Sequence, residues 1–279
     1  MAGCPHRCSY CNQAALHPQA SGLPSLREIE RIADLYFGRL PCTGDPAGRP
    51  YVSAHGTNAI GQIAFYGGNF CGLRPDDKTR LLDDAMSLVQ SRCLDGIRVS
   101  TRPDCVTEDE ARFLAEHGVR FVEIGAQSFD DTVLEYVRRG HLSAAVGQAV
   151  AHLKAAGIGV SIHLMAGLPG ASRESDVESA RRAAALSPDA VRIHPTLVLK
   201  GSALEGEWRA GAYAPLALDE AVARCAAMMD VFAAAAIPVI RVGLHGDDEL
   251  TTGRALAAGP FHPNLRDLVN RALGVRHEV

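Results

Sequence analysis

Lysine is nearly absent from this chain of 279 residues: three Lys stand against 25 Arg. That skew reflects a GC-rich coding sequence more than a function. With 28 basic and 32 acidic residues the formal net charge is −4, so no general polyanion-binding surface is expected, although a local basic groove stays open. Long apolar runs are missing too. The most apolar stretch, Cys225 to Leu244, is interrupted by Asp230, Pro238 and Arg241, whereas a bilayer span needs about 20 largely uncharged residues. No basic start leads into an apolar run, so no secretory signal is visible. Internal repeats and low-complexity tracts are lacking, and 47% hydrophobic with 22% charged residues excludes disorder and a fibrous repeat. Eight Cys are too few for a disulfide scaffold. Three of them crowd into the first eleven residues, which points to metal chemistry in a reducing compartment, by default the cytoplasm.

What is present is alternation. Strands are expected over 62–66, 96–101, 119–126, 157–165, 190–199 and 238–243. Helices are expected between them over 75–92, 107–117, 130–138, 143–156, 172–186 and 219–236. Thr107 followed by Glu110 forms a capping box at one helix start. Alternation with short connections argues for a parallel sheet flanked by helices, and without a dinucleotide-type glycine fingerprint it favours an α/β barrel or partial barrel. The chemistry of such barrels sits at the C-terminal strand ends. The segment 40–61 lacks periodicity and reads as a long surface loop. The piece after Leu244 reads as loop-rich, then weakly helical from Asn264. The expected domains are a core over 1–243 and a C-terminal extension over 244–279.

Cys4, Cys8 and Cys11 are spaced three residues, then two. Such a loop can wrap three thiolates around one face of an iron–sulfur cubane and leave the fourth iron open for chemistry. The same thiols also suit a structural zinc with His6 or a distant Cys as fourth ligand, in a zinc-stabilised nucleic-acid-binding module without catalysis. Cys42, Cys93, Cys105 and Cys225 are scattered and read as ordinary small residues, while Cys71 stands beside the Gly67-Gly68 strand end.

The Cys loop with Tyr10 before its last Cys resembles the radical S-adenosylmethionine (SAM) superfamily. The resemblance continues through Phe65-Tyr66-Gly67-Gly68-Asn69-Phe70, Ser100-Thr101-Arg102-Pro103-Asp104, Glu123-Ile124-Gly125-Ala126-Gln127-Ser128-Phe129, Arg139-Gly140-His141 and Gly167-Leu168-Pro169-Gly170. These segments are similar to the core shared by the Elongator catalytic subunit and oxygen-independent coproporphyrinogen oxidase, over roughly residues 3–265. The first cysteine gap is narrower than Elongator's, and no acetyltransferase domain follows, so a stand-alone protein is expected. The implied fold is a partial (β/α)6-type TIM barrel with an apparently truncated first strand. Only Met1-Ala2-Gly3 precede Cys4, and the reading frame is expected to begin upstream with an apolar, β-branched run.

The resemblance implies a [4Fe-4S] cluster on Cys4, Cys8 and Cys11, and SAM chelated to its open iron. It implies reductive cleavage of SAM to a 5′-deoxyadenosyl radical, hydrogen abstraction from a substrate, and a reductant such as ferredoxin or flavodoxin. Tyr10 would pack near the adenine or cluster, or be a core aromatic. Gly67, Gly68 and Asn69 would receive the SAM amino group, or form an ordinary turn. Ser100, Arg102 and Gln127 (with Ser128) would meet ribose or substrate. Arg139 would bind the SAM carboxylate, or form a surface salt bridge. His163 and Met165 would line the adenine pocket, or belong to the core; His194 and Lys200 divide between substrate contact and structure. The substrate class stays open between a tRNA base, a small metabolite and another protein. No catalytic side chain is assigned.

Overall fold

The computed structural model describes residues 4, 6–16, 22–37, 61–244 and 248–274; the expected 40–60 loop and the start before Cys4 lie outside them. Six parallel strands form one curved sheet: β1 (Gln62–Phe65), β2 (Gly96–Thr101), β3 (Val119–Gln127), β4 (Gly159–Ala166), β5 (Ala190–Pro195) and, after a short β6 (Val198–Leu199), β7 (Val239–Val242). Their spatial order is β1-β2-β3-β4-β5-β7, and every neighbouring pair is parallel. This is a partial (β/α)6-type half-barrel. Between strands run the helices Pro75–Ser91, Glu108–Glu116, Ala144–Ala155, Arg173–Ala185 and Leu218–Ala234, each close to its expected range.

The alternation along each strand explains the layers. Val122, Ile124, Ala126, Val160, Ile162, Leu164, Val191 and Ile193 are fully buried beneath the helices. With Leu82, Leu114, Leu153 and Phe232 they build one continuous core. The intervening residues, Glu123, Gly125, Ser161, His163, Met165, Arg192 and His194, share the opposite face because parallel partners in register point the same way. A strand buried on both faces usually reads as a continuous apolar run. Here one face is apolar and the concave one is polar.

Helix starts are fixed chemically. The Thr107 hydroxyl accepts from the Glu110 amide at 3.1 Å. Asp130 caps Thr132 and Val133, and Ser172 with Ser175 forms a reciprocal capping box.

Three expectations change. The strand expected over 190–199 is two strands, because the chain turns at Pro195-Thr196-Leu197 and β6 leaves the sheet. It pairs antiparallel with β8 (Leu256–Ala258) from the tail read as loop. An amphipathic helix, Leu26–Phe37, was not expected; it buries Ile29 and Ala33 and is tied to the next helix by the Asp34–Arg92 ion pair. Cys93 takes part in a disulfide, which its isolated position in sequence did not reveal.

Candidate active site

The Cys loop is held from two sides at the C-terminal edge of the sheet. The Ser9 amide donates to the Val137 carbonyl at 3.0 Å, and the Leu204 amide donates to the Ser9 carbonyl at 2.8 Å. Asn12 donates through its side chain to the Lys200 carbonyl at 2.6 Å. Gly201 lies so close that a Cβ there would stand 2.9 Å from the Asn12 side chain. Within the loop the Cys11 amide donates to the Cys8 carbonyl at 3.1 Å. Cys8 is buried; Cys4 and Cys11 are half-buried, and all three thiols are free of disulfides.

Arg139 connects this loop to the sheet. Its guanidinium donates to the Gly125 carbonyl at 2.5 Å and to the Cys8 sulfur at 3.6 Å. Burial opposes its charge, but Tyr10, Cys8 and Cys4 more than offset this and raise its pKa. Two glycines make the arrangement sterically feasible. Gly140 has φ +77°, and a Cβ there would stand 2.4 Å from the His6 ring. A Cβ on Gly125 would stand 2.7 Å from the Gln127 amide nitrogen and 2.9 Å from the Arg139 guanidinium. Gln127 itself follows a register shift and has φ +71°, an uncommon backbone for a non-glycine residue and a form of stored strain.

The other expected residues divide. Tyr10 packs with Met165 against Val133, Val137 and Leu168, bridging the loop to the end of β4. Its hydroxyl lies beside Cys8 and Arg139, and burial pushes its pKa up. Gly67, with φ +89°, and Gly68 follow β1, and Ser100 faces the concave side as the register partner of Glu123. His163 and His194 meet edge to face with ring centroids 4.2 Å apart. Burial keeps both uncharged, lowering His163 to about 3 and His194 well below its ordinary value.

Asn69 and Arg102 are engaged otherwise. Asn69 accepts from the Thr101 hydroxyl at 2.7 Å and the Arg102 amide at 3.0 Å, and donates to Cys105 at 3.2 Å. Arg102 makes a two-pronged contact with Asp104 at 3.0 and 2.9 Å and donates to the Arg139 carbonyl at 2.7 Å. Both side chains brace strand ends. Cys71 is a buried thiol whose pKa burial raises, and Lys200 donates through its ammonium to the Gly253 carbonyl at 2.9 Å.

His6 was expected only as a zinc ligand, and Gly125, Gly140 and the lumen ions Arg98, Glu123 and Arg192 were not expected in these roles. Charged residues set between apolar ones along β2, β3 and β5 were the available signal for the last three.

Several buried polar atoms on this side have no hydrogen-bond partner: Gln127 Oε1, Arg139 Nε, His163 Nε2 and His194 Nε2. Buried polar groups are normally satisfied, so this unspent capacity fits a polar ligand beside the thiols. Among the described residues no group of three or more His, Cys, Asp or Glu, the three loop thiols included, is gathered closely enough to hold a metal ion, so this geometry favours neither the cluster nor the zinc alternative.

A parallel half-barrel carrying a three-thiol loop above its strand ends, with polar groups left for a ligand, defines a class of enzymes that work through a metal cluster. Residues 53–183 match the radical SAM superfamily and residues 188–274 match the Radical_SAM C-terminal domain. The chain belongs to the radical SAM superfamily, whose members are enzymes that bind a [4Fe-4S] cluster and SAM. It is 29% identical over 233 residues to the tRNA uridine(34) acetyltransferase of Dehalococcoides mccartyi, spanning 76% of this chain and 50% of that protein. It is 31% identical over 201 residues to Elongator complex protein 3 of Danio rerio, spanning 67% and 36%. The chain therefore spans half or less of these curated relatives. The archaeal Methanocaldococcus infernus Elp3, with an N-terminal deletion, aligns with a TM-score of 0.65 at 26% identity, over 77% of this chain and 55% of that one. Coproporphyrinogen III oxidase of Escherichia coli shares the fold, with a TM-score of 0.51 at 21% identity, over 70% of this chain and 42% of that one. No helix among the described residues is long and apolar enough to cross a membrane.

Proposed function

We propose that this chain cleaves SAM reductively and directs hydrogen abstraction at a substrate held in its polar lumen. The observation that carries the reading is the docking of the Cys loop through Arg139, which joins the Cys8 sulfur to the Gly125 carbonyl at the lumen wall. Cys4, Cys8 and Cys11 would hold the cluster. Gly67, Gly68, Ser100, Gln127, His163 and Met165 would surround SAM, with Tyr10 and Arg139 positioning the loop between them. When bound, the cluster and SAM supply an electron and the 5′-deoxyadenosyl group that takes the hydrogen. The protein's own part is to orient the ligand and shield it. Asn69 and Arg102 act by bracing the strand ends. Ferredoxin or flavodoxin would serve as reductant.

The names of the relatives bring a tRNA base forward as substrate class. Cytoplasmic location and the 1–243/244–279 division belong to the same proposal.

Anaerobic reconstitution should give about four irons per chain for one cubane and form 5′-deoxyadenosine from SAM with dithionite. Stoichiometric zinc in a colourless protein would sink the reading. Gly68→Val should weaken SAM binding while leaving iron content intact, because a branched side chain would stand where the backbone approaches the ligand. Unchanged SAM affinity in titration would displace the pocket from the β1 end.

A further inference from the structure

The concave face carries more positive charge than the fold itself uses. Glu123 is the carboxylate within its ion cluster. It accepts from Arg98 at 2.9 Å, from the Tyr66 hydroxyl at 2.8 Å, and lies 2.8 Å from the Arg192 guanidinium. Two guanidiniums thus share one carboxylate. Arg241 on β7 stands in direct register with Arg192 on β5, so the two cations point to the same face. Like charges directly opposite on neighbouring strands destabilise a sheet. No ion pair involves Arg241 among the described residues. The Nε of Arg192 is buried without an acceptor, and so is the Nε2 of His194, two residues further along β5 on the same face. His194 is more than nine-tenths buried. A planar, fixed guanidinium fork with donors to spare matches a carboxylate or phosphate.

We propose that Arg192 and Arg241, with the His194 imidazole beside them, bind an anionic group of the substrate inside the lumen. This rests on reading the lumen as the substrate chamber of the enzyme proposed above. The anion would supply the missing counter-charge, accept from Arg192 Nε, and hold one end of the substrate below the site of hydrogen removal. Carboxylate and phosphate share this chemistry, and the test separates them.

Thermal unfolding of the cluster-loaded protein, in a buffer free of both anions, should be followed against inorganic phosphate, malonate and uncharged malonamide. A saturable stabilisation by phosphate alone points to a nucleotide-type group, and one by malonate alone to a carboxylic acid. Arg241→Gln should weaken the effective anion at least tenfold, because Arg241 gives up no carboxylate partner among the described residues. Arg241→Lys, which keeps the charge but not the fork, should fall between. Arg209→Gln, an exposed helix position, should change nothing. The proposal is overturned if neither anion stabilises saturably, if malonamide does so equally, or if Arg241→Gln and Arg241→Lys bind like the parent. Iron content and 5′-deoxyadenosine formation are read separately. Anion binding without a cluster would sink the radical reading and spare this one; SAM cleavage without anion binding would do the reverse.

Discussion

Gly140 and Arg139 illustrate how single residues carry the candidate site. Gly140→Ala adds a Cβ 2.4 Å from the His6 ring and strains a φ of +77°, which should cost about 1–3 kcal/mol. The strain falls on the Cys loop, so faster iron loss after reconstitution is expected than in the parent. Equal iron retention would show that the loop is not held there. Single Cys4→Ala, Cys8→Ala or Cys11→Ala should abolish the cluster. Cys225→Ala should not, since that thiol lies in the core between helix and sheet with burial raising its pKa to about 12. Iron determination on the four proteins compares them directly.

At the scale of elements, β4 and β5 each insert an uncharged imidazole into the lumen, and His141, before the helix Ala144–Ala155, is a third buried imidazole. Burial lowers His141 to about 4 and His163 to about 3. In the unfolded chain these groups take up protons below about 6.5, so stability conferred by the fold is lost as pH falls from there toward 4. Asp176, which accepts from the Gly167 amide and Arg224, acts in the opposite sense. Burial raises it to about 6, so the folded state holds its proton more tightly between about 6 and 3.8, the range set by its unfolded value. Three histidines oppose one aspartate, and the melting temperature should be lower at pH 5 than at pH 7.5. His163→Gln should narrow that difference and Asp176→Asn should widen it. A gap unchanged in both variants would rule out these groups as its source.

Across the whole molecule, stability concentrates where the apolar outer faces of the strands meet the helices. Phe232 is fully buried there, and Phe232→Ala should destabilise by about 3–5 kcal/mol through loss of contacts and a residual cavity. The two-stranded β6–β8 sheet packs on a smaller separate cluster of Leu197, Leu199, Leu250 and Ala255. Amide exchange should therefore be slowest in β2 to β5 and markedly faster in β6 and β8. Equal protection in both sheets would mean that the small sheet unfolds only with the core.

Local signals determined much of this protein. Six β/α units, the Thr107 cap and the three-thiol loop were legible because periodicity, N-cap chemistry and cysteine spacing are properties of short segments. The break at Pro195 and the pairing of β6 with β8 were not, since they depend on a partner strand some sixty residues away. For the same reason the ring of His163 against His194, the reach of Arg139 from Gly125 to Cys8 and the opposition of Arg192 to Arg241 appear only once the sheet is assembled. Register decides which side chains share the lumen, and register is settled by burial of the opposite, apolar face against the helices.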